Sequence, residues 1–330
     1  ESPALSAPGL LESGGDGALW VMPRNGPLVV ARYHQGEWAE LPECPERVSD
    51  YGLFALAGID LETVFVGARD VGLIGFVDGE WSRYALGETI DCSVFALVVR
   101  ERQLFIGASS GLWRLDLDDL SAAPVAIDSV PSGPVLGLLS DGGSIVAAGN
   151  DWLGSLDGSE YTPSPAVSAP FVPYLGPIRL SRDLRGGLYL GHVNRLAYLD
   201  RNGRFSSFDP RSGLTGQGAL DMTADREGNT WVVGLRGVSK VVNGEIETFN
   251  TVQGLFDNEV SAILALDDRE VLLGHNGGIT RMRPGSTDVI DLNAGPVRGR
   301  VMGFERAGDG TPVVACTGLG VGLLTPGNDI

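Results

Sequence analysis

Residues 64–67 read Val64-Phe65-Val66-Gly67, three apolar residues followed by a glycine. The same pattern returns at Leu104-Phe105-Ile106-Gly107, Val146-Ala147-Ala148-Gly149, Leu188-Tyr189-Leu190-Gly191, Trp231-Val232-Val233-Gly234 and Val271-Leu272-Leu273-Gly274. Successive glycines are separated by 40, 42, 42, 43 and 40 residues. Weaker copies stand one period before and after, at Leu19–Met22 and Pro312–Ala315. A pattern that recurs at this spacing indicates a repeat protein with eight copies of one small unit.

Each repeat has the same internal order. An apolar segment such as Leu53–Leu56 comes first, a short polar turn follows, and the apolar triplet forms the second segment. A glycine-rich turn leads to a third segment, as in Gly111–Leu115. A hairpin signal such as Asp78-Gly79 introduces a fourth and more polar one. Because Asp-Gly suits two-residue hairpin turns, this order predicts four short antiparallel strands with a polar outer strand.

Four such strands in every 40 or so residues are typical of a propeller blade. We therefore predict an all-β chain: a single closed β-propeller of eight four-stranded blades that occupies residues 1–330 as one domain. The blades are expected to be centred near residues 20, 65, 105, 147, 189, 232, 272 and 314. The eighth repeat, Val297 to Leu324, holds only three strands, and Ser2–Ala7 is predicted to supply the fourth. Seven full blades with a partial repeat are the alternative.

Composition and charge narrow the class further. The chain has 330 residues, 43% of them hydrophobic, and its 48 glycines favour many tight turns. Its net charge of −18 opposes binding to nucleic acid and to anionic membrane surfaces. No apolar stretch is long enough to span a membrane. The chain begins at Glu1 rather than at a methionine, which is expected of a mature form whose signal peptide has been removed.

Repeats six and seven resemble the two-component-regulator propeller repeat. The residues that carry the resemblance are Gly213-Leu214, Asp225–Gly234 with Gly237-Val238, Gly254–Val260, Gly274 and Gly277–Ile279. The resemblance is close over about 80 residues and looser elsewhere. It implies a periplasmic or extracellular sensor domain of a bacterial signalling receptor, whose ligands are often carbohydrate fragments and whose members often dimerise. The chain departs from the fullest family pattern because it has one predicted ring, no immunoglobulin-like domain and no kinase motif.

No motif for catalysis stands out. The sequence lacks a nucleophile elbow, a phosphate-binding loop, a zinc-protease motif and a calcium-binding loop, so we expect neither a cofactor nor a metal nor catalytic residues. The three cysteines, Cys44, Cys92 and Cys316, include no Cys-x-x-Cys pair and are expected to be buried free thiols. A propeller enzyme such as a polysaccharide lyase or hydrolase stays as an alternative, because paired carboxylates cannot be recognised from sequence.

Propeller topology predicts where a ligand would bind. The turns between second and third strands, and the connections between blades, should surround one mouth of the central channel. Residues at these positions are the candidates for ligand binding: Asp50, Asn150, Trp152, Tyr174, His192, Asn194, Arg236, Asn258, His275 and Asn276. An indole beside amide and guanidinium donors suits a small molecule or an oligosaccharide. The alternatives are that Trp152 anchors its blade and that His192 and His275 are hydrogen-bonded loop residues.

The connection Thr162–Pro177 is longer than its counterparts and contains five prolines. It is predicted to project beside the mouth, where Phe171 and Tyr174 would form a lid, a homodimer contact or a contact with a partner protein; a rigid connector is the alternative. The leading functional hypothesis is a non-catalytic sensor propeller, and the second is a protein-interaction scaffold.

Overall fold

The computed structural model describes residues 8–23, 27–48, 52–164, 177–183, 186–192, 195–208, 213–215, 221–242, 245–266, 269–283, 286–291 and 299–324. Regular structure in these ranges is β-strand apart from one short 3-10 helix, Thr251–Gln253. The strands form eight separate antiparallel sheets, numbered here in chain order, and in each sheet the strands that follow one another in sequence are hydrogen-bonded neighbours.

The first compact unit is formed by Gly9–Ile178 with Ala307–Asp309, and it contains sheets 1 to 4. Sheet 1 comprises β1 (Pro8–Ser13), β2 (Leu19–Pro23), β3 (Ala31–His34) and β4 (Glu37–Glu40). Sheet 2 comprises β5 (Leu53–Asp60), β6 (Thr63–Ala68), β7 (Gly72–Val77) and β8 (Glu80–Tyr84). Sheet 3 comprises β9 (Val94–Arg100), β10 (Gln103–Ala108), β11 (Gly111–Asp116) and β12 (Val125–Ala126). Sheet 4 comprises β13 (Gly137–Asp141), β14 (Ser144–Ala148), β15 (Leu153–Asp157) and β16 (Glu160–Pro163).

The second compact unit is formed by Arg179–Arg306 and the residues from Gly310 onward, and it contains sheets 5 to 8. Sheet 5 comprises β17 (Arg179–Arg182), β18 (Leu188–His192), β19 (Arg195–Leu199) and β20 (Phe205–Phe208). Sheet 6 comprises β21 (Asp221–Ala224), β22 (Thr230–Gly234), β23 (Gly237–Val242) and β24 (Glu245–Phe249). Sheet 7 comprises β25 (Val260–Ala265), β26 (Val271–His275), β27 (Gly278–Arg283) and β28 (Ser286–Asp291). Sheet 8 comprises β29 (Val301–Arg306), β30 (Pro312–Cys316) and β31 (Gly320–Leu323).

This succession of meander sheets is that of an all-β propeller with eight blades, which confirms the predicted fold class and excludes the count of seven. Every predicted blade centre lies in a second strand. Sheet 8 has three strands among the described residues, as expected for the short last repeat. The fourth strand predicted from Ser2–Ala7 lies outside the described residues, as do residues 165–176 of the proline-rich connection.

The apolar triplets are explained by burial on both faces of the second strands. Successive side chains of a strand point to opposite faces of its sheet. In β6, Val64 and Val66 pack into the core between sheets 1 and 2, whereas Phe65 packs into the core between sheets 2 and 3. In β22, Trp231 and Val233 face sheet 7 while Val232 faces sheet 5. Each sheet is therefore held by its neighbours within the unit, as expected of a repeat protein.

The Gly-Leu segments that precede sheets 6 and 7 have a structural role. Leu214 is buried in the core between sheets 5 and 6, and Leu255 is buried in the core between sheets 6 and 7. The residue that follows each leucine donates its backbone N–H to a hydroxyl of a third strand: Thr215 N lies 2.9 Å from Ser239 Oγ, and Phe256 N lies 2.9 Å from Thr280 Oγ1. This part of the family-like motif therefore fixes the connection between blades rather than contacting a ligand.

Candidate functional site

Each sheet has two ends with different connections. One end of each sheet is called here the leading end: the first strand begins there, the second strand ends there and the third strand begins there. The turns between first and second strands lie at the opposite end. Because neighbouring strands are antiparallel, the connections between sheets also reach the leading end. The predicted ligand-binding residues that the structure describes belong to leading ends.

Three predicted residues occur at the leading end of sheet 7. Asn258 lies just before β25 and accepts a hydrogen bond from Thr251 N through Oδ1 at 2.9 Å. Asn276 is exposed and forms an isolated backbone bridge with Arg300 of the next sheet. His275 ends β26 and is completely buried, with Nε2 2.8 Å from Thr280 Oγ1. Arg236 is exposed at the leading end of sheet 6, in the turn between β22 and β23.

Burial controls the chemistry of His275. It lowers the pKa of the imidazole from 6.5 to about 4, although the charge of Asp257 and the backbone carbonyls of Glu259 and Asp257 act in the opposite direction. The ring also lies 6.0 Å from that of Phe256. His275 is thus neutral at physiological pH, and in this structure its ring is enclosed rather than presented to solvent.

The remaining predicted residues are distributed over other parts of the chain. Trp152 is only 8% exposed and packs edge-on against Tyr161 in the core between sheets 3 and 4. Asn150 is half-buried in the same turn, and its Oδ1 has no hydrogen-bond partner among the described residues. His192 ends β18, but its side chain is outside the description, as are the residues Asp50, Tyr174 and Asn194.

Charged residues at the starts of first strands were missed by the sequence analysis. Arg300 Nη2 lies 2.7 Å from Glu259 Oε1, and both side chains are about one-third exposed. Because Asn276 is bridged to Arg300 and Asn258 precedes Glu259 in the chain, these four residues form one polar surface at the leading ends of sheets 7 and 8. We call this surface, Asn258, Glu259, Asn276 and Arg300, the polar rim.

A second carboxylate stands at the beginning of sheet 6. Asp221 accepts hydrogen bonds from Met222 N at 2.9 Å and from Ile263 N at 3.1 Å, so it ties β21 to the neighbouring β25. Burial raises the pKa of Asp221, whereas the charge of Arg179 and these two backbone N–H groups lower it. Such pairs across neighbouring first strands join residues about 40 positions apart, so no local sequence pattern indicates them.

The opposite ends of sheets 6 and 7 enclose a cavity of about 330 Å³. It is lined by Asp225, Glu227, Trp231, Lys240, Glu247, Phe249, Arg269, Val271, Met282 and Arg283. We call it the groove. Trp231, Lys240 and Glu247 are register partners on adjacent strands and form a row across sheet 6. The Lys240 ammonium lies 5.0 Å from the centre of the Trp231 ring, which stacks on Phe249 at 5.6 Å.

The wall of the groove is built by the segment that most resembles the signalling-receptor repeat. Asp225 Oδ1 accepts hydrogen bonds from Glu227 N at 3.0 Å and Asn229 N at 2.9 Å. Its Oδ2 accepts from Asn229 Nδ2 and Trp231 Nε1, both at 2.9 Å. Burial raises the pKa of Asp225, but the hydrogen bonds from Asn229 and Trp231 outweigh it and leave the pKa below its usual value. The motif is therefore a turn that orients an indole.

A cavity of about 340 Å³ lies in the first unit, also at the end of sheet 1 opposite its leading end. It is lined by Asp16, Gly17, Tyr33, His34, Gln35, Gly36, Ala307, Gly308 and Asp309. The described part of the chain contains no group of three or more His, Cys, Asp or Glu side chains arranged to hold a metal ion. The three cysteines are buried and free, and burial raises the pKa of each thiol.

Comparisons with known proteins identify the fold and leave the family open. No protein-family model matches the sequence, and no curated protein matches it significantly. Among solved structures, the chain is similar over 99% of its length to the extracellular domain of a B. thetaiotaomicron protein described as a hybrid two-component system, with a TM-score of 0.63 and 13% identity. A second extracellular domain of such a system from B. thetaiotaomicron matches over 99% of the chain, with a TM-score of 0.54 and 12% identity.

A computationally designed protein, Ika8, matches over 98% of the chain and 96% of its own length, with a TM-score of 0.64 and 14% identity. The chain covers 39% and 52% of the two receptor ectodomains. At these identities the likeness is one of fold: the chain resembles extracellular propeller domains of two-component systems. Within the residues that the structure describes, no helix combines the length and apolar character needed to cross a bilayer.

Proposed function

We propose that this chain is an extracytoplasmic sensor module that binds a small molecule or an oligosaccharide at the polar rim. The observation that carries the proposal is the match of 99% of the chain to the extracellular domain of a hybrid two-component system. The motif resemblance, which is close over repeats six and seven, supports the same class. Because propellers host many functions, the argument for a ligand must come from the site itself.

The chemistry of the polar rim suits a ligand rich in hydroxyl groups. The amide of Asn276 offers both a donor and an acceptor, and the ion pair of Glu259 with Arg300 adds a charged acceptor beside a planar donor. Paired donors and acceptors of this kind recognise neighbouring hydroxyl groups of a sugar ring. The exposed guanidinium of Arg236 adds a further planar donor at the leading end of sheet 6.

Thermal-shift screening followed by calorimetry tests the proposal. The panel contains neutral and acidic oligosaccharides, monosaccharides, amino acids and divalent metal ions. A ligand at 100 times its Kd should stabilise the folded protein by about 2.7 kcal/mol. Asn276→Ala and Arg300→Lys should weaken binding of an oligosaccharide by about tenfold or more each, because each removes hydrogen bonds whose partners become buried.

Asn202→Ala is the matched control, because Asn202 is an exposed asparagine in a turn at the opposite end of sheet 5. It should leave the affinity unchanged. Absence of a thermal shift with every sugar in the panel, or an affinity that both rim variants leave intact, would show that the polar rim is not the ligand site.

A further inference from the structure

We propose that the groove between sheets 6 and 7 is a second binding site, whose ligand is a zwitterion of dipeptide size with an apolar side chain. The groove lies at the ends of these sheets opposite the polar rim, so it is independent of the site proposed above. Its volume of about 330 Å³ is at the lower end of the range for small-molecule pockets.

The floor of the groove is apolar. Val271 is only 2% exposed, and the half-buried side chains of Met282 and Phe249 pack against the same core as Trp231. Trp231 itself is 5% exposed and is covered by Phe249, so it supports the floor rather than contacting a ligand. An apolar ligand group placed on Met282 and Phe249 would remove apolar surface from water, which favours binding.

The charged lining is balanced, with three acidic and three basic side chains. Most of these charges already have partners. Arg269 Nε lies 2.9 Å from Glu227 Oε1, and Arg283 forms ion pairs with Glu270 at 2.7 Å and Asp288 at 3.2 Å. The oxygens of Asp225 accept the four N–H groups described above.

Lys240 and Glu247 are the two lining charges without a short contact to an opposite charge, although the positive charge of Lys240 acts on Asp225 and helps to lower the pKa of that carboxyl. They are directly opposite one another on β23 and β24, yet neither forms an ion pair with a described residue. The Lys240 ammonium lies over the Trp231 ring instead. A carboxylate of a ligand would complete the coordination of Lys240, and an ammonium group of the same ligand would pair with Glu247.

This arrangement selects against simpler ions. A ligand with a single negative charge would leave Glu247 without an ion-pair partner, and one with a single positive charge would leave Lys240 without one. A zwitterion satisfies both, and its side chain covers the floor. Charge complementarity provides specificity in this way.

Calorimetry with leucyl-leucine and its derivatives tests the proposal on the full chain. N-acetylation removes the ammonium group and C-terminal amidation removes the carboxylate. The free dipeptide should bind, and each derivative should bind about 10- to 100-fold more weakly, the range expected for loss of a hydrogen bond to a charged group. Lys240→Met should weaken binding of the free dipeptide to a similar extent, and it should not weaken binding of the amidated form further. Glu247→Gln should likewise weaken binding of the free dipeptide, and it should leave the affinity for the acetylated form unchanged.

Arg204→Met and Glu80→Gln serve as controls, since both residues are exposed in other sheets, Arg204 in a hairpin turn and Glu80 at the start of β8. Asn276→Ala in the polar rim should also leave dipeptide affinity unchanged, which separates this proposal from the proposed function. The proposal is overturned if leucyl-leucine does not bind at millimolar concentration, if Lys240→Met and Glu247→Gln leave its affinity intact, or if the neutral disaccharide maltose binds the groove equally well.

Discussion

Four N–H groups converge on the carboxylate of Asp225, and this explains why the turn of repeat six reads Asp-x-x-Gly-Asn-x-Trp. A related arrangement occurs in sheet 5, where Asp183 Oδ1 accepts from Gly187 N at 2.7 Å and Oδ2 accepts from the hydroxyl of Tyr198 at 3.0 Å. There, burial raises the pKa of Tyr198, and its hydrogen bond to Asp183 adds to the effect. In both sheets one aspartate closes a turn and orients an aromatic side chain.

Asp225→Ala should destabilise the protein by about 2–4 kcal/mol, because it leaves the buried Asn229 amide and the Trp231 indole without their acceptor. Chemical denaturation at neutral pH measures the loss. Because the pKa of Asp225 is lower when folded than when unfolded, its contribution is present above the unfolded value and is lost as pH falls through the folded value. Asp118→Asn, in an exposed turn, is the control; an equal loss in both variants would contradict this role.

His275 predicts a dependence of stability on pH. The unfolded chain binds a proton near pH 6.5, whereas the folded protein does so only near pH 4. The free energy of unfolding should therefore fall by about 3 kcal/mol as pH drops from 6.5 to 4, because in this window only the unfolded state is protonated.

Urea denaturation at several pH values should show that His275→Gln has lost this part of the slope. His34→Gln, at the end of β3, should retain it. If the slopes of wild type and His275→Gln coincide, His275 does not titrate as described.

At the scale of the strands, three of the periodic glycines lie where an added side chain would meet the next sheet. A side chain added at Gly67 would place its Cβ 2.6 Å from Val94 Cγ1, at the start of the next sheet. Gly274 stands in the same relation to Val301, and Gly107 to Val135. At these three positions a glycine near the end of the second strand is needed because a valine at or just before the next first strand lies against it.

Gly67→Ala should destabilise the protein by about 1–3 kcal/mol through this overlap. Combining it with Val94→Ala should recover part of the loss, so that the two changes are not additive in a double-mutant cycle. Gly143→Ala is the control, since no atom lies within 4 Å of its added Cβ and its backbone is unstrained. Thermal or urea unfolding is measured for the four proteins of the cycle and for the control, and strict additivity would argue against the contact.

The strands could be predicted from sequence because burial on two faces leaves a direct mark, the apolar triplet. The site could not be predicted as well, because the direction of each side chain depends on the neighbouring sheet. Trp152 and His275 lie at the expected leading ends, yet both side chains are buried. The groove was missed because its walls come from two repeats. The row Trp231, Lys240 and Glu247 was the available signal, once strand pairing is known.

For the whole molecule, the net charge of −18 predicts how stability responds to salt. Repulsion among the surplus carboxylates opposes the compact state, and added ions screen it. Raising NaCl from about 10 to 200 mM, which shortens the screening length severalfold, should therefore raise Tm by a few degrees. Choline chloride at equal ionic strength should act similarly if screening is the cause. A Tm that falls or does not change, measured by circular dichroism, would contradict the expectation.

Lys240 is the single lysine of the chain, and it lies in the groove. Apart from the α-amine of the first residue, it is the place where amine-coupling reagents would attach the protein to a biosensor chip or a dye. Immobilisation through Lys240 would block the groove and report no interaction there, so ligand searches need a different tether. Conversely, an environment-sensitive fluorophore on this one side chain would signal occupancy directly.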